Sequence, residues 1–274
     1  ATDWRGVHGP STNTGTVAAD AVPEGELTVD WTVPVKTHVG HHVPIVADGT
    51  AYVHDLDDEL SAVDVSTGER RWKISITDPQ TAPAVSDGTL VVSTDEDTRS
   101  FDATTGEVRW TRPELGGGVF DASPVIANET VYLHRGIETH ALDVATGETR
   151  WRVPTGLQSD STPAVTNDTV YVAGHDTYVR ALGAADGTER WRTKTNARIR
   201  CNVAVADGTV VVGTEAGTVV ALDAETGDVR WCSRLDPRQS GDNTRPQRPQ
   251  TLATDGSRVY VATDTRLVAF AFVD

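Results

Sequence analysis

The chain has 274 residues, 40 acids against 24 bases, a formal net charge of −16, seven Trp and only two Cys. It contains no apolar run of the roughly 18 residues that a membrane helix needs, no Cys set that would make a disulfide scaffold or a structural zinc site, and a surface too acidic for nucleic acid. Its Trp and Val-rich runs exclude disorder of the whole chain, and the length suffices for one large β-domain or two ordinary ones.

Residues 1–26 are polar and rich in Gly, Thr and Ala, and they read as an N-terminal extension. LTVDWTVPV at 27–35 predicts a first strand around Trp31. Trp72, Trp110, Trp151, Trp191 and Trp231 follow at intervals of 41, 38, 41, 40 and 40 residues, a period that signals a β-propeller. The segment before each Trp repeats: AVDVSTGERRW at 62–72, SFDATTGEVRW at 100–110, ALDVATGETRW at 141–151, ALGAADGTERW at 181–191 and ALDAETGDVRW at 221–231. The fourth copy departs, with Gly183 for the Asp and Asp186 for the Thr.

A second repeated element marks hairpins. VPIVADGTAYVH at 43–54 has counterparts at 82–93, 123–134, 162–173, 202–213 and 251–262. Its turn is Asp-Gly at 48–49, 87–88, 207–208 and 255–256, Asn128-Glu129 in the third unit and Asn167-Asp168 in the fourth. Such pairs tolerate the positive φ that a two-residue hairpin needs. Each unit therefore reads as four antiparallel strands, a to d from the inside outwards. The last unit, 250–274, has a, b and c but no Trp strand, and the first Trp strand has no c before it. Donating strand 27–35 to the last unit predicts an all-β, six-bladed β-propeller of four-stranded blades. It forms one domain over 27–274, with the extension 1–26 packed on the ring through Trp4.

AxDxxTGxxxW resembles the tryptophan-docking motif of the pyrroloquinoline-quinone (PQQ) repeat, and the resemblance covers residues 27–274. It implies that each Trp packs on the Thr-Gly turn of a neighbouring blade, a role that falls to Trp72, Trp110, Trp151, Trp191 and Trp231 with Gly68, Gly106, Gly147, Gly187 and Gly227. The family includes eight-bladed quinoprotein dehydrogenases and non-catalytic BamB-like assembly scaffolds, so the fold does not choose between them. The dehydrogenases carry two adjacent Cys over the cofactor; Cys201 and Cys232 here lie 31 apart, and no acidic/Asn cluster matches the family's Ca²⁺ site. The abundance of Asp and the presence of only three Lys also resemble proteins of salt-loving archaea, where high salt screens self-repulsion. DWRGVHGPSTNTG at 3–15 is similar to the start of secreted or surface-attached haloarchaeal members. No signal peptide precedes it, as expected of a mature chain or of one made without a leader.

In such a ring the d-to-a and b-to-c loops share the binding face. The d-to-a loops contribute His38, His41, His42, Asp121, Gln158, Asp160, Arg198, Arg200, Arg238, Arg245 and Arg248. The b-to-c ends add His54, Asp55, His134, Arg135, His175 and Asp176. Two readings stay open. His41 and His42 with His54 are candidate transition-metal ligands, although adjacent residues on a strand point to opposite sides. Alternatively, Arg198, Arg200, Arg238, Arg245 and Arg248, with Arg190 and Arg192 nearby, form a basic sector around blades 5 and 6. It suits a carboxylate or sulfate ligand or an acidic partner, unless these Arg pair with the chain's own Asp.

No catalytic residue is assigned: GxSxG, a P-loop and GxGxxG are all absent. Asp57-Asp58 reads as solvated surface, Gly116-Gly117-Gly118 as a tight crossing, and Asn128 and Asn167 as hairpin sequons open to glycosylation. The expected role is a non-enzymatic binding or assembly scaffold of a halophilic archaeon, outside the cell or at its surface. It is expected to be monomeric in isolation, with a protein partner or anionic ligand on the loop face and no cofactor. The alternative is an oxidoreductase using PQQ or a metal ion in the central funnel.

Overall fold

The computed structural model describes residues 29–33, 44–54, 58–77, 81–116, 122–156, 159, 161–235, 249–254, 258–263 and 267–271. Each hairpin and motif unit folds into its own antiparallel sheet. Blade 1 comprises β1 (Ile45–Ala47), β2 (Thr50–His54), β3 (Glu59–Asp64) and β4 (Arg70–Ser75). Blade 2 comprises β5 (Ala84–Ser86), β6 (Thr89–Ser93), β7 (Thr98–Asp102) and β8 (Val108–Arg112), followed by a 3-10 turn, Pro113–Leu115. Blade 3 is β9 (Val125–Ala127), β10 (Thr130–Arg135), β11 (Glu138–Asp143) and β12 (Thr149–Pro154). Blade 4 is β13 (Ala164–Val165), β14 (Thr169–Ala173), β15 (Tyr178–Gly183) and β16 (Glu189–Lys194). Blade 5 is β17 (Ala204–Ala206), β18 (Thr209–Gly213), β19 (Thr218–Asp223) and β20 (Val229–Arg234). A sixth sheet has three described strands, β21 (Pro249–Thr254), β22 (Arg258–Thr263) and β23 (Leu267–Ala271).

The turn chemistry explains the hairpins. Asp48-Gly49, Asp87-Gly88, Asn128-Glu129 and Asp207-Gly208 all have positive φ at both positions, the geometry whose twist matches paired strands. The Asn167-Asp168 turn closes without left-handed residues, through a bond from the Thr166 N–H to the Thr169 carbonyl. Asp255-Gly256 lies outside the described residues.

The sheets stack through their inner strands in chain order, with β1 against β5, β5 against β9, β9 against β13, β13 against β17 and β17 against β21. The middle of β11, Thr139–Leu142, is buried on both faces because a sheet lies on either side. The outer strands β4, β16 and β20 alternate between exposed and half-buried positions, so one face meets water.

Outer-strand tryptophans fasten blades 1 to 4 each to the next, and Trp31 makes the same joint with blade 1. Indole N–H groups of Trp31, Trp72, Trp110, Trp151 and Trp191 donate at 2.9–3.0 Å to the carbonyls of Val65, Ala103, Val144, Ala184 and Ala224. Each ring lies on a glycine of the turn it reaches. At Gly147, with φ +72, a methyl would stand 2.6 Å from Cδ2 of Trp110, so both the backbone and the contact require glycine. In three joints a tyrosine of strand b donates to the same carbonyl: Tyr52 to Ala103, Tyr132 to Ala184 and Tyr171 to Ala224. Each of these Tyr rings lies 5.9 Å from its sheet's Trp.

The motif aspartate builds the c-to-d turn. Oδ1 of Asp64, Asp102, Asp143 and Asp223 accepts the backbone N–H groups two and three residues on. A β-bulge in each c–d pair leaves out the residue before the Trp, which is Arg71, Arg109, Arg150, Arg190 or Arg230. The bulge re-aims that arginine. In four copies it meets Oδ2 of the turn aspartate at 2.5–2.7 Å, and in all five it bonds the Thr that opens strand b.

Candidate partner-binding face

The d-to-a and b-to-c loops emerge at one end of every sheet. Of the expected site residues, His38, His41, His42, Asp121, Gln158, Asp160, Arg238, Arg245 and Arg248 lie outside the described residues, as does Asp55. Arg198 and Arg200 are exposed and flank Ile199, which bridges to Thr214. Arg200 Nε meets Glu215 at 2.9 Å, and the Arg198 carbonyl accepts the Glu215 N–H. Arg190 is bound to Asp168 at 2.8 Å and Arg192 lies 3.7 Å from Glu189. In the expected basic sector around blades 5 and 6, Arg190, Arg192 and Arg200 thus each face an acid of the chain itself, while Arg238, Arg245 and Arg248 lie outside the described residues.

The histidines of the b-to-c ends are interior groups. His54, His134 and His175 are buried. His134 Nδ1 lies 3.2 Å from the hydroxyls of both Thr139 and Thr155, which lie 2.8 Å from each other. Among the described residues no three His, Cys, Asp or Glu side chains cluster as a metal set.

The b-to-c connections differ in length, and blade 3 is the exception. Four residues separate strands b and c in blades 1, 2, 4 and 5, but only Gly136 and Ile137 separate β10 from β11. Arg135 pairs directly with Glu138, and Gly136 takes φ +59. This tight hairpin leaves Ile137 57% exposed, one of few large apolar side chains in that state among the described residues. It also leaves a cleft of about 560 Å³ between the end of blade 2 and the outer half of blade 3.

Three arginines line the cleft. Arg112, at the end of β8, binds Glu114 at 2.5 Å and donates to the Gly147 carbonyl. Arg135 is only 7% exposed and donates to the Thr94 carbonyl at 3.3 Å. Arg152, on β12, has a 68% exposed side chain and lies 3.9 Å from Glu138. His140 is buried on β11, 3.7 Å from Glu138. Burial lowers its pKa below the usual imidazole value, and the Glu138 carboxylate only partly opposes this. The Glu114 carboxyl is held below its usual range by its own backbone N–H and by Arg112. At the floor, a methyl on Gly116 would overlap the Glu96 and Asp97 backbone, which accounts for the start of the Gly-rich run as a tight crossing.

Sequence reasoning named Arg135 on this face but missed Arg112, Arg152 and the cleft. The sequence carried no length signal for it, because the stretch from the strand-b Thr to the motif Asp has 14 residues in blade 3 (130–143) and in blade 2 (89–102) alike.

The family described as outer membrane protein assembly factor BamB matches residues 13–176 and 138–274, which together cover nearly the whole chain. The chain belongs to this BamB-type PQQ-repeat family. Solved structures agree on the β-propeller fold. BamB from Moraxella catarrhalis superposes with a TM-score of 0.66 at 19% identity, over 84% of this chain and 71% of that one. A europium-containing methanol dehydrogenase gives 0.69 at 14% identity over 85% of this chain; the match spans 58% of the dehydrogenase. The computationally designed Ika8 protein gives 0.70 at 17% identity, over 88% and 74%. No curated protein matches the chain in sequence.

The two cysteines of this BamB-type chain do not fit a quinone site of the family's paired-Cys kind. Cys201 is buried, with Sγ 3.1 Å from the Gly213 N–H, whereas Cys232 is exposed on the outer strand β20. Both are free thiols.

Proposed function

We propose that the chain is a non-enzymatic binding or assembly scaffold that presents its d-to-a and b-to-c loop face to a protein partner. The observation that carries this reading is the blade 3 hairpin. There an exposed Ile137 stands beside an arginine-lined cleft on a chain of net charge −16. An apolar anchor next to arginine is the composition of an interface core. Membership in the BamB-type family supports the same reading. Arg198 and Arg200 extend the face towards blade 5, with Arg238, Arg245, Arg248, His41, His42, Asp121 and Asp160 as further candidates on the same loops.

The reading includes a monomeric, six-bladed ring in which the strand around Trp31 completes the sixth sheet. The bond from Trp31 to Val65 of blade 1 supports that closure, because it repeats the joint made by the other outer-strand tryptophans. It also places the protein at or outside the surface of a salt-loving archaeon, supported by the excess of acids over bases.

The test is a pull-down in molar salt with the full chain and its Ile137→Asp and Arg198→Glu variants. A discrete partner retained by the parent and lost from the variants is the expected result; equal retention overturns the reading. A quinone absorbance band or bound metal in the purified protein would instead favour the oxidoreductase.

A further inference from the structure

In a chain with 40 acids and 24 bases, a base without an acid is the exception. Ten of the described Arg and Lys side chains bind an acid at 2.9 Å or less. Among the described residues, Lys194, Arg198 and Arg234 are exposed and make no ion pair, and all three stand at the loop end of blades 4 and 5; Arg70, at the opposite end of blade 1, is a fourth. Lys194 and Arg234 hold the same place in the repeat, three residues after the Trp of their strand, where blades 1, 2 and 3 have Ser75, Pro113 and Pro154.

The segment that carries Lys194 and Arg198 is fixed between the two blades. Thr195 donates its N–H at 2.7 Å to the Thr177 carbonyl, and its hydroxyl lies 2.9 Å from the same oxygen. Thr177 has φ +71, a strained state for a β-branched residue, at the position where blade 5 has Gly217 at φ +72. On the blade 5 side, Asn196 Nδ2 donates at 3.0 Å to the Thr218 hydroxyl, and its Oδ1 accepts the Thr214 hydroxyl at 3.1 Å. The Arg198 carbonyl accepts the Glu215 N–H, and the buried Ile199 bridges to Thr214. Thr218 pairs with Arg234 across β19 and β20, which brings Arg234 beside Asn196. The backbone under these cations is thus held in place before anything binds.

We infer that this platform docks an acidic segment of a partner polypeptide, whose carboxylates pair with Lys194, Arg198 and Arg234. The planar guanidinium forks of Arg198 and Arg234 match carboxylates, and Lys194 adds a point charge. A single exposed ion pair contributes little, so a small free carboxylate gains almost nothing here. Several carboxylates on one chain pair together for a single loss of translational freedom. The held backbone lowers the ordering cost further. A membrane leaflet spreads its charge over a wide plane and would meet the net charge of −16 as well, whereas a short segment meets only the local cations.

The inference rests on the reading of the chain as a binding module, but it can fail separately. The probe is a rhodamine-labelled hexapeptide, Gly-Glu-Asp-Glu-Asp-Gly, and its Gln/Asn twin, titrated with the full chain and followed by anisotropy. At about 0.15 M salt, charges more than about 8 Å away are largely screened, so the distant acids of the chain weigh little. The acidic peptide is expected to bind about tenfold more tightly than its twin, and the preference should shrink in molar salt. Arg198→Gln or Arg234→Gln alone should weaken it about two- to threefold. The triple variant, Lys194→Gln with both of these, should bind the two peptides equally. All three side chains are exposed, and far-ultraviolet circular dichroism confirms that the variants fold. Equal binding of the two peptides by the parent, or an unchanged preference in the triple variant, overturns the site. Full displacement by acetate at an equal carboxylate concentration overturns the polypeptide assignment, as does retention on phosphatidylglycerol vesicles that the triple variant loses. A partner lost from Ile137→Asp but still captured by the triple variant sinks the platform and leaves the scaffold reading standing.

Discussion

Arg190 on β16 binds the carboxylate of Asp168 at 2.8 Å, across the hairpin rather than along its own c-to-d turn. In the other four copies the equivalent arginine meets the motif aspartate of strand c. Gly183 has removed that aspartate, and the acid has moved to the a-to-b turn. The same arginine keeps its bond to the strand-b threonine, here Thr169 at 2.6 Å. Asp168→Ala should therefore cost about 0.5 kcal/mol, as expected of an exposed pair. Adding Gly183→Asp with Asp186→Thr restores the pattern of the sister units and should recover the loss. Denaturant melts at fixed salt check both steps, and a triple variant no more stable than Asp168→Ala would refute the relocation.

Two glycines with the same φ separate backbone strain from contact. Gly49 and Gly147 both sit at φ +72, but nothing lies within 4 Å of a methyl on Gly49, whereas Trp110 crowds one on Gly147. Gly49→Ala should lose about 1 kcal/mol from left-handed strain alone. Gly147→Ala should lose about 2–4 kcal/mol, because overpacking adds to the strain. Similar losses at the two sites in thermal melts would show that the indole contact carries no weight.

Acid should loosen the c-to-d turns within a defined pH window. Asp143 and Asp223 are held at about 2, against an ordinary value of 3.8, first by Arg150 and Arg230 respectively and then by backbone N–H groups. Folded values below the unfolded one stabilise the fold above pH 3.8, and that contribution disappears as pH falls through about 2. Arg150→Gln and Arg230→Gln should move these two carboxyl titrations towards the ordinary value. The same substitutions should raise the pH midpoint of acid unfolding. Carboxyl nuclear magnetic resonance titrations read the first effect directly.

The thiols should differ in reactivity. Burial pushes the Cys201 thiol up to about 12, while Cys232 is exposed. The thiolate is the reactive form. One equivalent of a maleimide should label the native protein at Cys232, and the second thiol should react only after unfolding.

The sheets were legible because hairpin turns and the Trp motif mark strand boundaries by local chemistry. The placement of the joints was legible through the resemblance, which tied each Trp to a turn glycine. The arginine before each Trp was not read as part of the motif, although Arg71, Arg109, Arg150, Arg190 and Arg230 share that position. Its role depends on a bulge, a feature of pairing between strands that no single strand's pattern displays. This is also why Arg190 was counted as a spare charge. The blade 3 cleft was hidden for a similar reason: Arg112 and Arg152 are 40 residues apart and meet the same space only after two blades stack.

The acceptor at each of the five described Trp joints is a main-chain carbonyl, carried by Val65, Ala103, Val144, Ala184 or Ala224. Because the backbone supplies it, the side chain at that position can drift without loosening the joint. Each of the first four units carries the donor on its strand d and an acceptor in its c-to-d turn. A gene duplication of one whole unit would thus arrive with both halves of a working connector. An architecture of this kind can change its number of units by simple copying, and its members can diverge widely in sequence while still fitting one another.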